Sequence, residues 1–373
     1  MKNWIELSSK NLKHNLSSFK KLVGEKKILF AVKANAYGHG LKEVVSITKD
    51  IDSFDYYGVD SLKEAQDVYC HDKSKRILIL GWLDDPELPL AIRSGFEFVI
   101  PSIDFLKRVA TLGSESGVKP LGHIKVETGT SRLGVKPDEI ISFFKTEMSR
   151  HVKLKGIYSH FANIEDTTDH SFAMEQLKKF HCLLSDFRAD GLIRHFSCSA
   201  STLLFPETYF DMVRVGISAY GFWPSKQTYV SFSEKGDNKI KLKPVLSWRS
   251  KVAQVKELRS GTPISYGLTY KTYSKSKIVV IPTGYFDGYD RKLSNVSNVI
   301  IRGKIAPIRG RICMNMLMAD VTHIDFVKEG DNVTLIGKDS DEEIGVDGLA
   351  ELAGTINYEF VSRLNPLLPR III

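Results

Sequence analysis

Lys33 stands directly after the apolar run KILFAV, within the segment AVKANAYGHG. A lysine at the inner end of a buried strand is unfavourable unless it is paired or used covalently. Desolvation lowers the pKa of a lysine amine and so favours the free base that forms Schiff bases. The residue therefore predicts covalent chemistry with a carbonyl group. The alternative is a lysine at the rim whose ammonium group reaches water.

A phosphate-binding corner is predicted at Ser199 in SCSAS and at Gly216–Ile217 in RVGIS, which follow two later apolar runs. In barrels of parallel strands, this corner often binds phosphate through exposed backbone N–H groups and a hydroxyl. Ordinary turn chemistry is the alternative for each residue taken alone. A Schiff-base lysine and a phosphate corner together predict pyridoxal phosphate as the cofactor.

The elements that must position these residues form a repeating pattern, in which short apolar or β-branched runs alternate with amphipathic segments such as 41–50, 137–148 and 170–191. Eight β-then-α units predict an α/β fold, a (β/α)8 barrel of the TIM type, with a doubly wound open sheet as the alternative. The runs are KILFAVKA, YYGVD, RILILG, FEFVIPS, GHIKVETG, LKGIYSHFA, RHFSCSA and MVRVGIS.

A domain boundary is predicted in the polar stretch 231–243, which breaks this rhythm. The sequence after it is rich in β patterns separated by Gly, Asp and Asn turns, with one short helical pattern, VDGLAELAGT. We therefore expect a barrel domain over 1–235 and a mostly β domain over 236–373. The first ten or so residues are expected to pack with the β domain.

The composition excludes several classes of protein. The chain has 52 basic and 44 acidic residues, a formal net charge of +8, but its basic clusters are short and mixed with acids, so nucleic-acid binding is not expected. The histidines and cysteines lack metal-ligand spacing, and no metal is expected. Four cysteines outside CxxC pairs, with no signal-peptide pattern and no membrane-length apolar run, predict a soluble cytoplasmic protein that does not bind membranes.

Further motifs follow one another along the chain: KVETGTSRLG, GIYSHFA, MVRVGISAYG, SYGLTY, GYFDGYDR, GRICMNM and GTINYEF. Together with AVKANAYGHG they resemble the alanine racemases, a pyridoxal-phosphate family of fold type III. The resemblance runs from residue 3 to about 370. It implies an isomerase that interconverts L-alanine and D-alanine for peptidoglycan, working as a homodimer with composite active sites.

The resemblance also implies a role for each matching residue around the cofactor. Lys33 would carry pyridoxal 5'-phosphate as a Schiff base, Arg214 would face the pyridine nitrogen, and His160 would pack beside the ring and hydrogen-bond Arg214. The phosphate ligands would be Tyr37, Ser199, Tyr358 and the backbones of Gly216 and Ile217.

Two catalytic bases are implied on opposite faces of the substrate Cα, because a single base would tend to restore the original hand. The second base, opposite the cofactor lysine, would be Tyr266 contributed by a partner subunit. Arg132 would hold the substrate carboxylate, and Tyr285 and the backbone of Met314 would line the substrate entrance.

Lys125 matches a lysine that some family members carry as a carbamate, which would give the substrate-binding arginine a negative partner. Asn315 stands where the family usually has Asp, Cys198 where it tends to have Asn, and Phe286 where a small residue is usual. Asn315 and Phe286 leave a racemase of another small amino acid, such as serine, as an alternative. A related barrel decarboxylase or a non-catalytic cofactor-binding protein agrees less well with the tyrosine-bearing motifs of the β domain.

Overall fold

The computed structural model describes residues 1–144, 150–187, 191–236 and 240–373. The chain divides into two compact units. The β unit comprises Met1–Leu12, Asn35–Glu43 and Pro244–Ile373, and the barrel unit comprises Lys13–Ala34 and Val44–Lys243. Across the described ranges, no helix has both the length and the apolar character needed to cross a membrane.

The strands of the described ranges are numbered in chain order. They are β1 (Asn3–Leu7), β2 (Lys27–Ala31), β3 (Tyr56–Val59), β4 (Arg76–Ile79), β5 (Glu97–Ile100), β6 (Leu121–Lys125), β7 (Lys153–Tyr158), β8 (Ile193–His195), β9 (Met212–Val215), β10 (Leu246–Lys251), β11 (Gln254–Leu258), β12 (Pro263–Ile264), β13 (Tyr270–Lys271), β14 (Ser276–Ile281), β15 (Asn298–Ile301), β16 (Lys304–Pro307), β17 (Leu317–Asp320), β18 (Asn332–Asp339), β19 (Glu342–Ile344) and β20 (Arg370–Ile372).

The helices of the same ranges are numbered likewise. They are α1 (Ser9–Val23), α2 (Lys33–Tyr37), α3 (Leu41–Thr48), α4 (Leu62–His71), α5 (Leu88–Arg93), α6 (Ile103–Ser116), α7 (Pro137–Phe144), α8 (Ser171–Phe187), α9 (Ser199–Leu204), α10 (Lys226–Glu234), α11 (Val346–Ala353) and α12 (Asn357–Ser362).

The barrel unit contains one sheet of eight parallel strands, in the order β9-β2-β3-β4-β5-β6-β7-β8. Its two end strands, β8 and β9, approach each other. The backbone N–H of Asp211 donates to the carbonyl oxygen of Arg194, and that of Arg214 donates to the carbonyl oxygen of Ser197, both at 3.0 Å. The sheet is therefore a nearly closed (β/α)8 barrel. The prediction from the sequence is confirmed, and the open-sheet alternative is wrong.

Burial explains why the barrel strands read as continuous apolar runs. Every residue of β3 and of β5 is buried, as expected for parallel strands covered on both faces. The amphipathic segments predicted at 41–50 and 170–191 correspond to α3 and α8, and the segment at 137–148 begins with α7. The parts of these segments at 145–148 and 188–190 lie outside the described residues.

The β unit contains a larger sheet with the path β16-β15-β18-β10-β1-β20, on which β19 also pairs with β18. Smaller sheets follow the orders β11-β14-β17 and β12-β13. In the core, the indole N–H of the fully buried Trp248 donates to Oδ1 of Asn3 at 2.6 Å, and its ring lies 5.7 Å from that of Tyr289. The predicted mostly β character is confirmed.

The short helix α2, which contains Lys33, is left-handed. The φ angles of residues 34–37 lie between 52° and 54°, a region that costs a non-glycine residue roughly 1–2 kcal/mol. Such strain persists only where surrounding contacts hold it. Within the β unit, Oδ1 of Asn35 accepts the N–H of Leu41 at 2.8 Å, and Nη2 of Arg370 donates to the carbonyl oxygen of Gly38 at 2.8 Å.

Gly38 allows the chain to leave this turn. It has a φ of +76°, and a Cβ added to it would lie 1.8 Å from the carbonyl oxygen of Val361. The position therefore requires glycine both for its backbone conformation and for the close approach of a second backbone segment.

We expect Gly38→Ala to lower the free energy of unfolding by about 1–3 kcal/mol more than Gly330→Ala. Gly330 is the matched control, because it lies in the same unit with a φ of +87° but with no atom within 4 Å of an added Cβ. Urea unfolding of the two variants measures the difference. Equal losses would show that the approach of Val361 does not constrain the turn.

Candidate active site

Charged and polar side chains gather at the carboxyl ends of the barrel strands. Lys33 follows β2, Lys125 ends β6, His160 follows β7, and Arg214 lies in β9. Because the strands are parallel, these ends share one face of the barrel, where catalytic groups of such folds are found.

Arg214 is buried, and its hydrogen bonds go to carbonyl oxygens and imidazole nitrogens. Its Nη2 donates to the carbonyl oxygens of Ser159 at 2.8 Å and Phe196 at 3.0 Å, and its Nη1 donates to that of His195 at 3.1 Å. It also donates to the Nδ1 atoms of His160 and His195, both at 3.1 Å. Burial lowers the pKa of Arg214 to about 10, so the group remains a cation at neutral pH.

His160 is an uncharged acceptor beside this cation. Arginine has no acceptor atom, so Nδ1 of His160 must be unprotonated where it meets Arg214. Burial holds the pKa of His160 well below its ordinary value, and the charges of Arg214, Arg132, Lys125 and Lys33 lower it further. The structure therefore brings these four cations within electrostatic range of one imidazole.

Lys125 is a buried amine in the same cluster. Burial lowers its pKa from 10.5 to about 8, and the positive charges of Arg132 and Arg214 act in the same direction. About a tenth of the amine is consequently unprotonated at pH 7, far more than for an ordinary lysine, and this fraction is nucleophilic.

Glu127 holds the loop that carries Arg132, a role that the sequence did not reveal. Its carboxylate accepts the backbone N–H of Gly129 at 2.5 Å. Burial alone would raise the pKa of this carboxyl, but hydrogen bonds from the backbone N–H groups of Gly129, Ser131 and Thr130 hold it below its usual range. The motif KVETGTSRLG therefore contains a carboxylate that organises its own turn.

The predicted phosphate corner lies where α9 begins and β9 ends. Oγ of Ser199 accepts the N–H of Gly216 at 3.0 Å, and Ile217 begins a short 3-10 turn. In the described part of the chain, the buried hydroxyl of Ser218 has no hydrogen-bond partner, which costs about 1–3 kcal/mol unless a ligand or water satisfies it. Hydroxyl and backbone donors are the groups that bind a phosphate.

Within the β unit, the segments that carry Tyr266, Tyr285 and Met314 are linked through Cys313. Its carbonyl oxygen accepts the N–H of Tyr285 at 3.1 Å, and its sulfur lies 3.4 Å from Oγ of Ser265. The residues are exposed, Tyr266 at 73%, Met314 at 54% and Tyr285 at 42%. These exposed side chains therefore lie in neighbouring loops of the β unit.

Tyr37 and Tyr358 also lie together in the β unit. Tyr37 ends the left-handed turn, Tyr358 lies in the first turn of α12, and their ring centroids are 6.2 Å apart. The structure thus pairs two phenols that are far apart in the sequence.

The residues at the barrel end fit pyridoxal phosphate by their chemistry. Cationic and neutral donors predominate in the cluster around Lys33, while the carboxylate of Glu127 is engaged by its own loop. A ligand that carries a phosphate and a substrate that carries a carboxylate would supply the missing negative charge. The unpartnered hydroxyl of Ser218 is a further donor for such an anion.

A second group of buried polar residues in the barrel was not predicted from the sequence. Glu97, His123 and His195 lie on β5, β6 and β8, and each is 4% exposed or less. The signal was present in the sequence, since a charged residue or histidine within a continuously buried strand must find a polar partner. It did not show which strands would supply the partners.

Comparison with known proteins places the chain in the alanine racemase family. Residues 7–224 match the family model described as alanine racemase, N-terminal domain, and residues 245–372 match alanine racemase, C-terminal domain. The chain is 38% identical to the alanine racemase of Leptospira interrogans, over 100% of this chain and 96% of that protein.

Solved structures of alanine racemases are also similar to this chain. The alanine racemase of Clostridium difficile has a TM-score of 0.91 and 29% identity, over 100% of this chain and 96% of the other. An alanine racemase from Bartonella henselae, described with covalently bound pyridoxal phosphate, has a TM-score of 0.88 and 26% identity, with both chains covered completely.

The lowered pKa of Lys125 predicts how the stability depends on pH. Below about pH 8 the amine is charged in both the folded and the unfolded state, and burying the charge disfavours folding. Between about pH 8 and 10.5 only the unfolded state keeps the proton, so stability attributable to this group rises with pH. A Lys125→Met variant should therefore be more stable than the unaltered protein at pH 7, by a margin that shrinks toward pH 10.

Urea unfolding at pH 7, 8, 9 and 10 measures this margin, in buffer free of carbon dioxide so that the amine carries no carbamate. Lys49→Met, at an exposed lysine, is the matched control and should show a smaller trend. A margin for Lys125→Met that stays constant from pH 7 to pH 10 would contradict the prediction.

Proposed function

Because the chain belongs to the alanine racemase family, we propose that it interconverts L-alanine and D-alanine with pyridoxal 5'-phosphate as cofactor, and so supplies D-alanine for peptidoglycan. The observation that carries the proposal is the cluster of Lys33, Arg214, His160 and Lys125 at the carboxyl end of the barrel, in a chain that matches the family over both domains. We also propose the division into a barrel domain over 1–235 and a β domain over 236–373, with the first ten or so residues packed with the β domain. The four free cysteines support a cytoplasmic location.

The cofactor would be held covalently by the amine of Lys33. When bound, it supplies a conjugated ring that spreads the negative charge left on the substrate Cα after proton removal. His160 would pack beside the ring. The phosphate of the cofactor would be bound by Tyr37, Tyr358, Ser199 and the backbone N–H groups of Gly216 and Ile217. The hydroxyl and backbone groups at the barrel corner support this assignment.

Arg214 would face the ring nitrogen as a hydrogen-bond donor. Its contacts to three carbonyl oxygens and two imidazoles hold the guanidinium in one orientation, and its pKa of about 10 keeps it protonated at the working pH. A permanently protonated donor leaves the ring nitrogen without a proton of its own. Such a donor would weaken the ring as an electron sink and would therefore disfavour side reactions.

Arg132 would bind the substrate carboxylate with two parallel hydrogen bonds. The loop around Glu127 supports this role, because it fixes the backbone from Gly129 onward. Met314, through its backbone, and Tyr285 would line the entrance, as their linked and exposed positions in the β unit allow.

Lys125 would carry a carbamate. Its lowered pKa supplies the free amine that attacks carbon dioxide, and the neighbouring Arg132 and Arg214 would stabilise the resulting anion. In bicarbonate buffer, the difference in the free energy of unfolding between Lys125→Met and the unaltered protein should therefore lose the pH dependence that is expected for the free amine.

Proton transfer would use two groups on opposite faces of the substrate Cα. Nζ of Lys33 would take or return the proton on one face, and Oη of Tyr266 would do so on the other. A phenol is a weak base in water, so Tyr266 needs a nearby positive charge that favours its phenolate form. The roles exchange when the opposite enantiomer is the substrate.

We propose that Tyr266, Tyr285 and Met314 complete the barrel site of a partner subunit in a homodimer. Their exposure in one unit supports this arrangement, since isolated apolar loops of this kind gain stability when a second copy covers them. In a two-fold dimer each subunit would supply the loops for the other.

The proposed activity is tested by assaying both alanine enantiomers and serine with the purified protein. Lys33→Ala should abolish the visible absorption of bound cofactor and lower racemisation by at least about a thousandfold, because it removes the covalent attachment and one base. Lys49→Ala, at an exposed lysine, is the control and should keep both. Turnover that persists in Lys33→Ala, or a preference for serine over alanine, would contradict the proposal.

The composite site is tested by complementation. Co-expressing Lys33→Ala with Tyr266→Ala should restore about a quarter of the unaltered activity, since half of the dimers would be mixed and each would hold one complete site. Each variant alone should stay inactive. If mixing restores nothing although mixed dimers form, both groups belong to the same subunit and the proposed dimer site is wrong.

A further inference from the structure

A continuous line of buried polar side chains crosses the interior of the barrel and ends on Arg214. Oε2 of Glu97 lies 2.7 Å from Nε2 of His123, and Nδ1 of His123 lies 2.9 Å from Nε2 of His195. Nδ1 of His195 lies 3.1 Å from Nη1 of Arg214. Glu97 is the first residue of β5, so the line starts near the opposite mouth of the barrel from the candidate site.

The chemistry of the two ends fixes where each proton lies. Arg214 can only donate, so Nδ1 of His195 is unprotonated and Nε2 of His195 carries the proton. This N–H must donate to an unprotonated Nδ1 of His123. Nε2 of His123 then carries its proton and donates to the carboxylate of Glu97. Burial lowers the pKa of both histidines, and both remain neutral. All hydrogen bonds in the line therefore run in one direction, from guanidinium to carboxylate.

The barrel provides space and support for this line. β7 lies between the strands of the two histidines, and a Cβ on its Gly156 would come within 2.3 Å of Nδ1 of His123. The ring of His195 stacks on that of Tyr158, with centroids 4.6 Å apart and planes 9° apart. Glycine at 156 is thus a condition for the contact between the histidines.

The carboxylate at the far end is itself held. Oε1 of Glu97 lies 3.5 Å from Nη1 of Arg76, and the same Nη1 donates to the hydroxyl of Tyr56 at 2.9 Å. One carboxylate oxygen therefore meets a cation near the mouth of the barrel while the other accepts from the line. Both oxygens have partners, which keeps the carboxylate oriented toward His123.

We propose that Glu97, His123 and His195 are positioning residues that fix the tautomers of both histidines and, through them, the orientation of the Arg214 guanidinium. The inference rests on the proposed function for the part that Arg214 plays at the cofactor ring. If the carboxylate were lost, His123 could take its other tautomer. Two N–H groups would then face each other along the line. A change of tautomer at His195 would relieve this clash but would remove the acceptor of its hydrogen bond with Arg214.

The histidine tautomers are measured directly by two-bond ¹H–¹⁵N correlation spectra of the holoenzyme labelled in its histidines. In the unaltered protein, His195 and His123 should both be protonated at Nε2. Glu97→Leu should give mixed tautomers at His195, and kcat for alanine should fall on the order of tenfold with KM unchanged, because an interaction at the reacting centre is loosened while substrate binding is kept.

Glu97→Gln is the conservative rescue, since its amide oxygen still accepts from His123, and it should keep the tautomers and most of kcat. Tyr57→Phe is the control for loss of a buried hydrogen bond elsewhere in the barrel, and it should leave His195 unchanged. His195 protonated at Nδ1 in the unaltered protein would overturn the proposal even if Glu97→Leu does not fold. Unchanged tautomers in Glu97→Leu, or equal losses in Glu97→Leu and Glu97→Gln, would overturn it as well.

A failure of the proposed function has a different signature. An unaltered protein that does not racemise alanine would refute the racemase assignment, while the tautomer spectra would still decide whether Glu97 fixes the tautomers of His123 and His195.

Discussion

A buried guanidinium is the constraint on which the barrel site depends. Burying a cation is costly unless polar partners surround it, and Arg214 meets the carbonyl oxygens of Ser159, His195 and Phe196. These carbonyls come from the ends of neighbouring parallel strands, which only a closing sheet brings around one point. The same cation requires neutral imidazoles at His160 and His195, and both have pKa values well below the ordinary one because of burial and the charge of Arg214.

A second constraint acts on the backbone beside the candidate cofactor lysine. Residues 34–37 adopt positive φ although none is glycine, so the turn depends on contacts with distant parts of the chain that hold it in this conformation. Asn35–Glu43 groups with the C-terminal part of the chain, where Arg370 donates to Gly38 and Val361 excludes any larger residue there. The position of Tyr37 thus depends on residues more than 300 positions away, near the end of the chain.

The sequence predicts what repeats and misses what depends on long-range geometry. Buried parallel strands produce apolar runs, so the barrel and the placement of Lys33 and Ser199 at strand ends could be inferred from local pattern. The left-handed turn could not, because local propensity argues against positive φ at Ala34 or Tyr37. The line from Glu97 to His195 was also missed, since strand twist and order decide which inward side chains meet. The roles of Tyr266, Tyr285 and Met314 stay predictions that derive from the resemblance to the family.

The polar line also explains an irregularity in how the barrel is filled. Barrel interiors usually consist of layers of branched apolar side chains. Here a carboxylate and two imidazoles occupy part of that space, and glycine at 156 leaves room for the ring of His123. Replacing the line with aliphatic side chains would bury more apolar surface, but it would remove the acceptor that His195 presents to Arg214. Orientation of one guanidinium is therefore favoured over closer aliphatic packing at the centre of the barrel.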